Sequence, residues 1–179
     1  MGIGAVVHTF TVNLADLDRG IYEELSLRVA RQASETPSNL LLRILAYCLE
    51  YEEGIAFSEG IDAKSEPAVL VRDLTMRLTD WIEVGAPDAA RVHFGSKLAD
   101  RTVVYTHRDP ESLIATWGGK SLHKAADIRV IGFDSHFLDL AAESIERRNN
   151  LTITLTERQL YLELNGADFS SPLQEMRAR

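Results

Sequence analysis

Between Thr36 and Thr106 the spacing of apolar residues switches from a helical period to a strand period, back to helical and again to strand. No all-α or all-β fold accommodates that order. Thr36-Pro37 supplies an N-cap residue followed by a proline suited to the first helical position, and Leu41, Ile44, Leu45, Cys48 and Leu49 then recur on one helical face. Ile55 to Phe57, Pro67 to Val71 and Leu78 to Val84 read as strands, the last two as an antiparallel pair turning near Thr75 to Arg77 after a polar turn through Lys64. Pro87-Asp88 opens a second helix, in which Val92, Gly95 and Ala99 form a narrow stripe of residues small enough to pack closely on a sheet. Thr102 to Thr106 is then a strand of the buried type.

Both ends of the chain are richer in strands. Val6 to Val12 and Glu24 to Ala30 read as two early strands. Asp109-Pro110 starts a third helix that ends near Gly118-Gly119, and Ile128 to Phe133 is a strand. Asp134 is expected to cap a fourth helix running to about Arg148, where Asn149-Asn150 breaks it. Leu151 to Leu155 and Gln159 to Leu164 form an expected hairpin, and the polar tail after Gly166 is expected to fray. The fold class is therefore α/β, a mixed β-sheet with helices packed on it, in a single domain over residues 1–179. At 179 residues with 45% apolar content the chain is long enough to bury one core.

No run of apolar residues reaches the ~20 that a spanning helix needs, and Met1-Gly2-Ile3-Gly4-Ala5 lacks the layout of a signal peptide, so no membrane association and a cytoplasmic location are expected. A net charge of -8 excludes a protein that coats nucleic acid, and any such contact must be local. The lone Cys48 excludes an internal disulfide and reads as a core residue. His8, His107, His123 and His136 show no zinc-ligand spacing, and no nucleophile-elbow motif supports a serine hydrolase.

The stretch from Glu66 to Lys97 carries the candidate chemistry. Alternation along Leu78 to Gly85 places Leu78, Asp80, Ile82 and Val84 on one face and Thr79, Trp81, Glu83 and Gly85 on the other. A carboxylate flanked by Ile82 and Val84 in a central strand requires a basic partner, water or a metal. The order helix, strand, strand, strand, helix, strand over residues 37–106, with acids near the second and third strands, resembles the PD-(D/E)XK nucleases. That resemblance implies a nuclease-like core over about residues 35–106, with acids on adjacent strands holding Mg²⁺ or Mn²⁺ and a lysine acting on the attacking water. The metal candidates are Glu83 with Asp73 or Glu66, between which the sequence does not choose.

The same residues resemble the YaeQ family of bacterial proteins. The similarity rests on Ser34-Glu35-Thr36, Arg43, Glu66-Pro67, Trp81-Ile82-Glu83-Val84-Gly85, Pro87-Asp88 and Arg91, together with Val12-Asn13-Leu14-Ala15-Asp16-Leu17-Asp18-Arg19 at the start. It covers nearly the whole chain and implies a variant of the PD-(D/E)XK fold without a defined reaction.

The nuclease signature is broken where Gly85 stands in place of its lysine. Lys97 is the only lysine on the following helix, and it points about 140° away from Val92, outside the packing stripe. Arg91 and His93 are weaker substitutes, since arginine does not act as a base. Glu35, Arg43, Trp81 and Arg91 are candidates to support the site or contact phosphate; helix-dipole complement and surface ion pairing are the alternatives for Glu35 and Arg43. One reading is a Mg²⁺-dependent phosphodiester hydrolase acting on nucleic acid, with Asp73, Glu83 and Lys97 as its catalytic set. The other is a non-catalytic binding or regulatory protein that retains the fold. A third assignment for Glu83, an ion pair with an arginine such as Arg43 that fixes the core, stays open.

Overall fold

Alternation along β1 (Val6–Asp16) puts Phe10, Val12 and Leu14 on the buried face and Thr11 and Asn13 in solvent. β1 pairs antiparallel with β2 (Ile21–Arg31) over their whole lengths and parallel with β8 (Arg148–Thr156). Beyond β8 lie β9 (Gln159–Leu164) and β10 (Ala167–Pro172), so the first sheet has the order β10-β9-β8-β1-β2. The protein is seen here as a computed structural model that describes residues 4–59 and 65–179; the polar turn expected through Lys64 falls outside them. These residues divide into two compact units, Met1–Leu41 with Phe133–Leu173, and Leu42–Gly132 with Gln174–Arg179. The fold is α/β, with two mixed sheets among the described residues where the sequence suggested one.

In the first unit two tight turns set the register of the last three strands. Glu157 and Arg158 both have positive φ, and the Asp18 carboxylate accepts from their two backbone N–H groups at 2.6 and 3.0 Å, offsetting the strain of a left-handed turn without glycine. Asn165-Gly166, also with positive φ, turns β9 into β10. The tail expected to fray therefore folds, as β10 and then β11 (Gln174–Arg177). The fourth helix, α4 (Phe137–Ala142), ends well before Arg148, and its N-cap is His136 rather than Asp134. Asn149 explains the difference. Its buried side chain donates to the carbonyls of Thr9 and Glu146 and accepts from Glu146 N–H, so it anchors the start of β8 instead of ending a helix.

In the second unit the order is β11-β7-β6-β5-β4-β3. β3 (Ile55–Phe57), β4 (Val69–Arg72) and β5 (Leu78–Val84) are antiparallel neighbours; β5, β6 (Arg101–Tyr105) and β7 (Arg129–Gly132) run parallel. Parallel neighbours need crossovers, and α2 (Ala89–Leu98) and α3 (Pro110–Thr116) supply them. Ala89, Val92, Val104, Leu113, Trp117, Ile128 and Val130 form the core between those helices and the sheet. α1 (Pro37–Leu49) starts at Thr36, whose hydroxyl accepts from Asn39 N–H, and carries Leu42, Ile44, Leu45 and Cys48 fully buried into this unit. No helix of the described residues is long and apolar enough to cross a membrane.

Gly95 sets how closely α2 lies on β5. A Cβ there would sit 2.5 Å from the Trp81 ring. Gly95→Ala is expected to lower unfolding stability by about 1–3 kcal/mol, read by urea denaturation, because the ring beneath it is held on all sides.

Candidate functional site

β5 lies between β4 and β6, so a side chain on its helix-covered face is cut off from water unless the helix provides for it. Trp81 and Glu83 share that face. Trp81 is fully buried and the Glu83 side chain is 8% exposed. The helix does provide: the Asp88 carboxylate accepts from Arg91 N–H at 2.9 Å, capping α2 and fixing Arg91 in its first turn. From there Arg91 Nε donates to Glu83 Oε2 at 2.7 Å, and its Nη2 donates to the Glu66 carbonyl at 2.7 Å and lies 3.5 Å from Glu83 Oε1. Trp81 Nε1 donates to the same Oε2 at 3.1 Å, and the guanidinium lies 5.1 Å from the Trp81 ring centroid. Phe94 meets that ring edge-on. The buried carboxylate thus has the charge partner and hydrogen bonds its position demands.

Gly85 stands two residues later, with φ of +107°. An L side chain strains that backbone, so the missing lysine of the nuclease signature matches a local conformation suited to glycine.

The other expected site residues are distributed unevenly. Glu66 comes to Glu83 through its backbone, while its carboxylate faces Arg72 at 3.4 Å. Asp73 lies in the β4–β5 turn, where its Oδ1 accepts from Thr75 N–H, the Thr75 hydroxyl and Arg77 N–H. Glu83 lies six residue steps along the strand from Arg77, about 20 Å at ~3.3 Å each, so the structure does not bring Asp73 to Glu83. Lys97 is exposed in the last turn of α2, about 9 Å along the axis from Arg91 and toward the beginning of β5. The Arg43 guanidinium lies 5.9 Å from the Phe57 ring centroid, and Glu83 forms its ion pair with Arg91. Glu35 precedes α1 in the first unit and accepts from the Asn39 amide at 2.6 Å. Trp81 has no exposed surface with which to contact phosphate.

Hydrogen bonds from Thr75 and Arg77, then the Arg77 charge, hold the Asp73 carboxyl below the usual carboxylate range. A carboxyl lowered by folding stabilises the folded chain above its unfolded pKa, and that contribution disappears as pH falls through the folded value. Asp73→Asn is therefore expected to lower the melting temperature at neutral and alkaline pH while leaving the acid end of the profile nearly unchanged, so that the acid slope flattens.

Among the described residues, the side chains around Glu83 do not fit a resident divalent metal. Such an ion needs several oxygen ligands, and among the described residues no three of His, Cys, Asp and Glu are grouped to hold one. Both oxygens of Glu83 face Arg91.

A second, partly buried polar cluster was not anticipated from the sequence. Glu50, just past α1, accepts from the Tyr105 hydroxyl at 2.5 Å and from Arg129 at 3.0 and 3.3 Å; Arg129 also reaches Glu175 at 3.4 Å. Burial opposes the charge on Arg129, but Glu50 and Tyr105 outweigh it and raise its pKa above the ordinary guanidinium value. No motif flags this group, because its members are dispersed from residue 50 to residue 175.

Comparison with known proteins supplies the context. The family described as YaeQ protein matches residues 1–172. An uncharacterized YaeQ protein of Escherichia coli K12 is 29% identical over 165 residues, 90% of each chain, and one of Salmonella typhi is 28% identical over the same share. The crystal structure of the YaeQ protein from Pseudomonas syringae superposes with a TM-score of 0.86 at 28% identity, covering 96% of each chain. That from Xanthomonas axonopodis pv. citri gives 0.87 at 25%, covering 98% of this chain and 99% of the other.

Proposed function

The chain belongs to the YaeQ family, and from that premise we propose that it is a non-catalytic binding or regulatory protein built on a nuclease-like core. One observation carries the reading: the Arg91 guanidinium stands against Glu83 where a nuclease of this strand order would place its metal. A fixed internal cation supplies the compensating charge, but it provides neither an open coordination position nor an acidified water. The order α1-β3-β4-β5-α2-β6, with Glu66 ahead of β4, Asp73 just after it and Glu83 on β5, supports the nuclease-like description of the core. The cations around Glu83 are engaged with acceptors of the protein, Arg91 with Glu83 and Arg72 with Glu66, which with a charge of -8 speaks against a phosphate-binding cleft here.

The metal-dependent phosphodiester hydrolase is favoured by one specific feature. The β4–β5 register, with Val69 opposite Ile82, brings the Glu66 segment beside Glu83, as two acids sharing a Mg²⁺ or Mn²⁺ would require. The two readings separate in a cleavage assay on single- and double-stranded DNA and RNA with each metal. The binding reading predicts no cleavage by the wild type above that of Glu83→Gln. Cleavage that is lost in a folded Glu83→Gln protein would establish the hydrolase.

A further inference from the structure

The open face of the five-stranded sheet carries an ordered row of aromatic and small side chains. β1 pairs with β2 on one side and with β8 on the other, and β8 pairs with β9, so the registers align Tyr22, Ala15, Thr154 and Tyr161 across four adjacent strands. Alternation puts all four on the face opposite Phe10, Val12 and Leu14. Tyr22 is 64% exposed and Tyr161 48%, and neither side chain has a hydrogen-bond or ring partner among the described residues. Three strand steps at ~4.8 Å set the two tyrosines roughly 14 Å apart, with only the small Ala15 and Thr154 between them. The next row along the strands is Glu24, Asn13, Thr152, Glu163 and Asp168, all exposed. A depression of about 650 Å³ lies where the two rows meet, with Tyr22, Ala15, Asn13, Glu24 and Thr152 in its lining. That volume suits a small ligand.

The chemistry of the two rows selects what binds there. Apart from the tyrosine rings and Ala15 they hold no apolar side chain, which excludes a lipid or an apolar peptide. Glu24, Glu163 and Asp168 repel phosphate and sulfate groups, while Arg28 and Arg148 stand six residues along the strands from Tyr22 and Thr154, about 20 Å at ~3.3 Å each. An ammonium group is held by rings that enclose it within ~6 Å, whereas these rings stand on strands with two others between them. We propose that this face binds a neutral, unbranched oligosaccharide laid across the strands. The C–H face of a sugar ring carries the slight positive charge that an aromatic face attracts, so sugar units at the two ends stack on Tyr22 and Tyr161. Sugar hydroxyls both donate and accept, and they meet the carboxylates of Glu24 and Glu163 and the side chains of Asn13, Thr152 and Thr154. This inference goes beyond the reading of the Glu83 site and is independent of it.

The test is calorimetric titration of cellohexaose, maltohexaose and N-acetylchitohexaose into the full chain and into Tyr22→Ala, Tyr161→Ala and Tyr22→Phe, with hexalysine as the cationic control. Both tyrosines are exposed, so circular dichroism is expected to report an unchanged fold. At least one of the sugars is expected to bind the wild type, and Tyr22→Ala and Tyr161→Ala are each expected to weaken that binding roughly tenfold. Tyr22→Phe keeps the stacking face and is expected to stay within about threefold of the wild type. A wild type that binds none of the three sugars at millimolar concentration overturns the proposal. So does sugar binding that is unchanged in Tyr22→Ala and Tyr161→Ala. Binding of hexalysine without binding of any sugar also overturns it, and would make the face a site for a cationic peptide.

Discussion

Arg91→Met is expected to cost ~3–5 kcal/mol of unfolding free energy in urea denaturation, because it leaves the Glu83 carboxylate buried without its cation. Arg91 Nε stands 2.7 Å from Glu83 Oε2, and the Trp81 indole supplies a second donor to that oxygen but no charge. The Glu66 carbonyl also loses its bond from Arg91 Nη2. Replacing both partners, as Glu83→Gln/Arg91→Met, removes the stranded charge and is expected to be milder than Arg91→Met alone. A single variant as stable as the wild type would mean that water already compensates Glu83.

Arg129→Met is expected to be comparably damaging, about 3–5 kcal/mol by the same measurement. Glu50, with its side chain 11% exposed, accepts two bonds from Arg129, and the neighbouring Tyr105 hydroxyl cannot neutralise it. Arg129 also links the β7 edge to Glu175 on β11, so the last strand of that sheet is expected to loosen as well. Hydrogen exchange is expected to show faster opening of Gln174–Arg177 in the variant than at β5. Equal protection of β11 in both proteins would confine the role of Arg129 to Glu50.

Much of the fold was legible where local chemistry and packing point the same way. Pro37 after Thr36, the Asp88 cap of α2, the Asp109-Pro110 start of α3 and the period-two run of β5 all lie where the sequence indicates. The misread segments had local signals that distant partners overrode. Asn149 looks like a helix breaker until Thr9 and Glu146 are beside it. Asn165-Gly166 after an alternating strand is a strong hairpin signal, and the polar composition that follows it masks the strand it starts. The division into two sheets depends on which strands lack a common neighbour, and periodicity does not encode that.

The candidate site was legible in part for a similar reason. Alternation correctly placed Trp81 with Glu83, and the need for compensation was evident from Glu83 alone. The partner was harder. In the sequence Arg91 reads as a weak substitute for lysine or as a residue that supports the site or contacts phosphate, whereas Arg43 is the arginine offered as an ion-pair partner; the Asp88 cap, which aims Arg91 at β5, decides between them. Asp73 and Glu66 were inseparable by spacing, because the choice rests on the β4–β5 register and on the Asp73 turn.

The most direct test of the central claim, that Arg91 rather than a metal balances Glu83, is calorimetric titration of Mn²⁺ and Mg²⁺ into the wild type and Glu83→Gln. The account predicts indistinguishable traces, with no stoichiometric site in either protein. Stoichiometric binding by the wild type that vanishes in a folded Glu83→Gln variant would contradict it and make Glu83 a metal ligand.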